Sequence, residues 1–204
     1  MNIKKELKPF IMEQYNNYEE ILKNIPDVEI QPDKVKAIMI NEIVANDPKD
    51  DFYSSAPNPM YLETTFPLFA QAGVEVEDIQ DILDLGIYIT NAVKLPKFEY
   101  TIETSKIKEH MPILEQELKL FKNLEVIMLM GDVAKKSFNM ITKKDTKKNA
   151  VPSTSTYKLR NTELFYEGKR IFPSYIMTGK NILIEKSKFQ MASEDIFHML
   201  DIIR

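Results

Sequence analysis

Residues 37–42 read Ala-Ile-Met-Ile-Asn-Glu, four apolar side chains in a row that stop at a carboxamide and a carboxylate. An apolar run without polar alternation is a strand covered on both faces, as in a parallel sheet. The same form returns at Ile87-Tyr88-Ile89-Thr90-Asn91 and at Arg170-Ile171-Phe172-Pro173-Ser174, so three strands end in polar groups. In an open α/β sheet, ligands bind in the crevice beyond the carboxyl ends of the strands.

Working outward, helical spacing of Leu7, Phe10, Ile11, Tyr15, Tyr18, Ile21 and Leu22 predicts a helix over 3–25, with Pro26 to Pro32 as a connector. The first strand spans 37–43. Asp47-Pro48, Ser54-Ser55 and Pro57-Asn58-Pro59 mark residues 44–59 as a loop. Helical spacing resumes over 61–72 and 76–83, before a second strand at 86–93. A helix over 104–122 opens on Thr104-Ser105. Leu124–Met130 is a third buried strand, ended at Gly131-Asp132 by a helix carrying Ala134 and Phe138. Residues 143–158 read as loop and 169–174 as a fourth strand, preceded by a hairpin arm at 164–168. Ser193-Glu194-Asp195 caps a last amphipathic helix with Ile196, Phe197, Leu200 and Ile203 inward. Strands alternating with helices imply a mainly parallel sheet covered on both faces.

The 204 residues suit one domain, with 44% apolar and 28% charged side chains. The longest apolar runs are about eight residues, against the ~20 needed to cross a bilayer. Met1 to Lys5 carries no apolar core or small-residue cleavage site, so the expected location is cytoplasmic, with no membrane partner. The absence of cysteine excludes disulfides, Cys-ligated zinc, iron–sulfur clusters and a Cys nucleophile. Two histidines, His110 and His198, are a poor metal set and read as surface or interface residues; no metal and no cofactor are expected. Five glycines without a Gly-x-Gly or Gly-Lys-Ser/Thr motif argue against a phosphate-cradling hydrolase. The net charge is −4, yet residues 135–160 hold eight cations, Lys147 and Lys148 among them, against the single acid Asp145. That segment is either a solvated loop or a phosphate-binding patch on an otherwise acidic protein.

Strand-Asn-Glu at 38–42, Ile89-Thr90-Asn91-Ala92-Val93-Lys94, Ile127-Met128-Leu129-Met130-Gly131-Asp132-Val133-Ala134 and Pro173-Ser174-Tyr175 stand in an order and spacing that resembles the uracil-DNA glycosylase superfamily. The likeness is nearest to the bacterial and archaeal branch that often carries an iron–sulfur cluster, which this chain has no cysteines to hold. It covers roughly residues 36–203, within a single domain over 1–204 whose residues 1–30 form a helical extension. The resemblance implies a three-layer α/β/α sandwich around a four-stranded, mainly parallel sheet. It also implies a monomer that acts on uracil-containing DNA in base excision repair.

By that resemblance, Glu42 is the first candidate for stabilising an oxocarbenium-like sugar and orienting water. Asp47, in Ala45-Asn46-Asp47-Pro48, is the second; it equally suits a turn-starting Asp before proline. Asn91 would read a uracil edge, since its amide offers an acceptor and donors together, and Asn41 stands beside Glu42 where that branch has glycine. A flipped base needs an aromatic face; Met60 occupies the family's Phe position, leaving Tyr53 or Tyr61. Pro173, Ser174 and Tyr175 correspond to the family's His-Pro-Ser loop on the DNA backbone, with Phe172 in the histidine's place. Tyr175 or Ile176 would be the wedge, and Lys147 and Lys148 further phosphate contacts. The competing expectation is a glycosylase-fold protein that binds nucleic acid or nucleotide with little or no cleavage.

Overall fold

The computed structural model describes residues 1–97 and 99–204. Its sheet has five strands: β1 (Ala37–Ile43), β2 (Ile87–Val93), β3 (Val126–Met130), β4 (Leu164–Tyr166) and β5 (Lys169–Ser174), in the spatial order β2-β1-β3-β5-β4. Four are parallel, and their carboxyl ends lie along one edge of the sheet; β4 pairs antiparallel with β5. The expected α/β sandwich is thus present with one strand more than the four expected. The extra strand is the three-residue hairpin arm, which pairs with β5 through Leu164, Phe165 and Tyr166.

Alternation along the strands divides the core into two layers. Ile38, Ile40, Tyr88, Ala92, Ile127, Leu129 and Ile171 face one side, and Ala37, Met39, Ile87, Ile89, Val126, Met128 and Met130 the other. The first face is covered by α1 (Ile3–Gln14), α2 (Tyr18–Lys23), α5 (Thr104–Lys119) and α6 (Asp132–Thr146), and the second by α3 (Met60–Gln71) and α9 (Lys186–Ile203). Short helices α4 (Ile79–Asp84), α7 (Thr156–Leu159) and α8 (Asn181–Ile184) complete the connections.

Three helix boundaries differ from the sequence expectation. The helix expected over 3–25 breaks at residues 15–17, where Tyr15 turns extended and its hydroxyl donates to the Glu109 carbonyl of α5 at 2.7 Å. The last helix starts at Lys186 rather than at a Ser193 cap. Ser193 sits in its interior, donating to the Phe189 carbonyl at 2.9 Å, and Phe197 is 46% exposed rather than inward. Helix α6 runs on through Thr146, so the lysines at 143 and 144 are helical.

Behind β2 lies a buried ionic cluster. Lys94 pairs with Glu117, both side chains at most 1% exposed. The Tyr88 and Thr90 hydroxyls also donate to Glu117, at 2.9 and 2.8 Å. The backbone N–H of Lys94 donates to Nδ1 of the fully buried His110 at 3.2 Å, which puts the imidazole proton on Nε2, a nitrogen without a partner. Burial holds this imidazole neutral, its pKa pushed down from 6.5 to about 4. The unfolded chain takes up the proton near 6.5 and the folded one only near 4. Stability from this residue is therefore complete above 6.5 and is lost as pH falls toward 4, by about 3 kcal/mol. NMR titration of the His110 ring should give a midpoint near 4; a midpoint near 6.5 would contradict the buried neutral imidazole.

Candidate active site

Asn41 and Asn91 are register partners at the ends of β1 and β2, on the face that carries α3 and α9. Asn41 is fully buried and Asn91 is 5% exposed. Asn41 Nδ2 donates to Asn91 Oδ1 at 2.7 Å and to the Ile43 carbonyl at 3.1 Å. Asn91 Nδ2 in turn donates to Asp51, at 3.3 and 3.4 Å from its two oxygens. Asp51 is held by the backbone N–H groups of Ala45 and Phe52, each at 2.8 Å. Burial raises the Asp51 pKa above the ordinary carboxylate value, and those N–H groups work against the shift.

Glu42 follows Asn41 and so points to the opposite face. There its Oε1 accepts the backbone N–H of Val133 at 3.0 Å, in the first turn of α6. The N-cap of that helix is Gly131, which has no side chain to cap it, so the neighbouring strand supplies the carboxylate. Gly131 adopts φ +106°, and a Cβ there would run into the Glu42 carboxylate and approach Ile176 Cγ1 to 2.7 Å. Glycine is therefore required for Glu42 to reach the helix. Burial lifts the Glu42 pKa above its ordinary value, and the Val133 N–H opposes it.

Glu42 opens onto a cleft of about 670 Å³ whose walls include Lys135, Ser174, Tyr175, Thr178 and Lys180. The Ser174 hydroxyl is fully buried and donates to Asp195 of α9 at 2.6 Å. Asp195 also receives Arg160 Nε at 3.0 Å, and Arg160 Nη2 reaches Glu194 at 2.8 Å. This network ties the segment after α7 to α9, and Thr154 to Tyr157 just before it line the cleft. Thr178, in the loop after β5, donates to Asn41 Oδ1 at 3.3 Å and so links that loop to the paired amides.

The aromatic candidates are both engaged. The Tyr53 hydroxyl donates to the Ile89 carbonyl at 2.9 Å and accepts the Ile89 N–H at 3.1 Å, satisfying the open edge of β2. Tyr61 donates to the Ile43 carbonyl at 2.9 Å, with its half-buried ring 5.1 Å from that of the fully buried Phe52. Tyr61 therefore lies beside the Asn41–Glu42 strand end, and Tyr53 at the outer edge of the sheet. Phe172 sits in β5 beneath the Arg170 guanidinium, 4.4 Å from the ring centre. Pro173 is buried in the same strand, and Tyr175 is half-buried in the cleft wall.

Other sequence candidates lie apart from this cluster. Asp47 is exposed, caps the turn at Pro48–Asp50 through the Lys49 N–H at 3.1 Å and pairs with the Lys49 ammonium at 3.0 Å. Lys147 and Lys148 follow the last turn of α6, some 22 Å along the helix from its cleft-lining start. The cation-rich segment is thereby spread along α6, the turn after it and α7 rather than gathered in one patch. Lys135 alone of the α6 lysines lines the cleft, bonded to Thr156 and paired with Asp132. Asp51 and Thr178 carry no site signal in the sequence, and Asp195 reads there only as part of a helix cap. Among the described residues no group of three or more His, Asp or Glu side chains is arranged to hold a metal ion.

The model of the uracil DNA glycosylase superfamily matches residues 43–187. This range begins at the last residue of β1 and ends at the start of α9. No curated protein matches the chain in sequence.

Proposed function

The chain belongs to the uracil DNA glycosylase superfamily, and from that premise we propose that it hydrolyses the N-glycosidic bond of a uracil flipped out of DNA. The observation that supports this reading is the Asn91 amide at the end of β2, next to the β1 end that carries Glu42, whose side chain faces the other side of the sheet. After its bonds to Asn41 and Asp51, Asn91 keeps one lone pair on Oδ1 and one N–H on Nδ2. A carbonyl next to a ring N–H on the base would complete both.

In the proposed reaction the C1′–N bond breaks with its electron pair leaving on the base, and water adds its hydroxyl to C1′. The water proton passes to Glu42 and on to the departing base. A carboxylate of raised pKa is matched to that transfer. One Glu42 oxygen is fixed by the Val133 N–H, which leaves the other for water and for the positive charge growing on the sugar. Pro173, Ser174 and Tyr175 would support the DNA backbone through main-chain groups and the tyrosine, since the Ser174 hydroxyl is already given to Asp195. Lys135 and Lys180 in the cleft wall would add phosphate contacts; Lys147 and Lys148 would reach only DNA that continues along α6.

Of the two acids, we assign the chemistry to Glu42. Asp47→Asn is then expected to leave excision within about twofold of the parent protein, because its carboxylate meets water and Lys49 alone. Single-turnover rates of the two proteins check this.

A second reading, binding without efficient cleavage, is favoured by the imidazoles. His110 is buried behind β2 and His198 lies in α9, while Phe172 holds the place of the family's histidine. Alkali-revealed scission of a labelled oligonucleotide bearing one uracil separates the two. Scission of single-stranded, U·G or U·A substrate is expected; none at excess protein would leave the binding reading.

A further inference from the structure

We propose that Asp51 and Asn41 set the sense in which Asn91 reads a base, making Asp51 a specificity-determining residue although it lies behind the reading edge. The inference rests on the base-reading role proposed for Asn91. A side-chain amide is nearly symmetric in shape, and turned by 180° it exchanges its donor for its acceptor. An isolated asparagine would therefore read either of two opposite base edges.

Here the chain of hydrogen bonds ends at both sides in main-chain groups that cannot reverse. The Ile43 carbonyl only accepts, so it holds the Asn41 NH2 toward itself, and the other hydrogen of that NH2 goes to Asn91 Oδ1. The N–H groups of Ala45 and Phe52 only donate, one to each Asp51 oxygen, so Asp51 faces Asn91 as an acceptor. Between a fixed donor and a fixed acceptor, Asn91 has one sense. Turned over, its Oδ1 would oppose the Asp51 carboxylate and its NH2 would oppose the Asn41 NH2.

The free lone pair and free N–H then suit a base edge with a carbonyl next to a ring N–H, as in uracil. Cytosine and adenine present an amino donor next to a bare ring nitrogen, the reverse pattern. The site so built discriminates by leaving buried polar groups unpaired when the wrong base enters.

The test compares the parent protein with Asp51→Asn on oligonucleotides carrying a single uracil or a single cytosine, read as excision and as equilibrium binding. Thermal melting reports folding, and NMR of the Asn91 side-chain NH2 reports its bonding. The parent should prefer uracil by about a hundredfold, and Asp51→Asn should shrink that ratio by about tenfold or more while the Asn91 NH2 resonances shift. Asp51→Glu provides a second variant that keeps the charge and should retain more of the ratio than Asp51→Asn. An unchanged ratio in a folded Asp51→Asn protein would overturn the proposal, as would an Asn91 NH2 that does not respond. A parent protein without uracil preference would overturn the base-reading role itself, and the NMR signature would then show whether the bonded amide exists without that use.

Discussion

Glu42→Gln is expected to lower the single-turnover rate of uracil excision by about 10²- to 10⁴-fold while uracil-oligonucleotide affinity stays within a few-fold. The glutamine keeps an oxygen that can accept the Val133 N–H, now at 3.0 Å, so the cap on α6 survives and the protein folds. On the proposed mechanism the substitution removes the negative charge that would stand beside the sugar and the capacity to take a proton from water. Burial adds to the expected effect, because a half-buried charge acts through a lower dielectric than one in bulk water. Rate and affinity are read separately, one by quench-flow and the other by titration with labelled DNA. An unchanged rate and affinity in a folded Glu42→Gln protein would mean that Glu42 is only a helix cap.

Glu117→Gln is expected to destabilise the fold by about 3–5 kcal/mol, a large share of the roughly 5–15 kcal/mol that holds a domain together. The substitution strands the Lys94 ammonium, 1% exposed, beside a neutral amide. It also unsettles two hydroxyls, because Tyr88 and Thr90 both donate to the oxygen that one carboxylate now offers. Removing both charges, as Lys94→Met with Glu117→Leu, should recover part of the loss, since no buried charge is then left alone. Urea denaturation of the three proteins tests this. A Glu117→Gln loss under 1 kcal/mol would contradict the buried pair. The site is involved too: Thr90 precedes Asn91 on β2 and Lys94 follows the strand's last residue, so this cluster fastens the strand that carries the amide proposed to read the base.

The buried strands were legible in the sequence because a segment covered on both faces has no polar alternation to blur it. Each of the four longer strands was found that way, together with the polar residues at the ends of β1, β2 and β5. The antiparallel arm was recognised from Leu164 to Gly168, but three residues do not say whether they join the sheet. Helix ends were harder, because long-range partners set them. Tyr15 stops α1 through Glu109, 94 residues away, and nothing local marks the break. The same holds in the site. Asn41, Glu42 and Asn91 announced themselves by position, whereas Asp51 lies in a run of turn-like acids. Its meaning comes from Asn91, 40 residues on, and Thr178 acquires a role only through Asn41, 137 residues back. Asp47 shows the converse: the second candidate acid in the sequence, yet placed in solvent as a turn cap.

Asn91 and Glu42, at the ends of adjacent strands, are proposed to act together in breaking a glycosidic bond. Chromatographic measurement of free uracil, alongside abasic sites, after incubating the protein with an oligonucleotide containing one uracil tests this. Equal amounts of free base and abasic site are expected, with near-complete loss of both in Asn91→Ala and Glu42→Gln proteins that remain folded. Intact uracil in the DNA with the parent protein in excess, or undiminished release by the two variants, would contradict it.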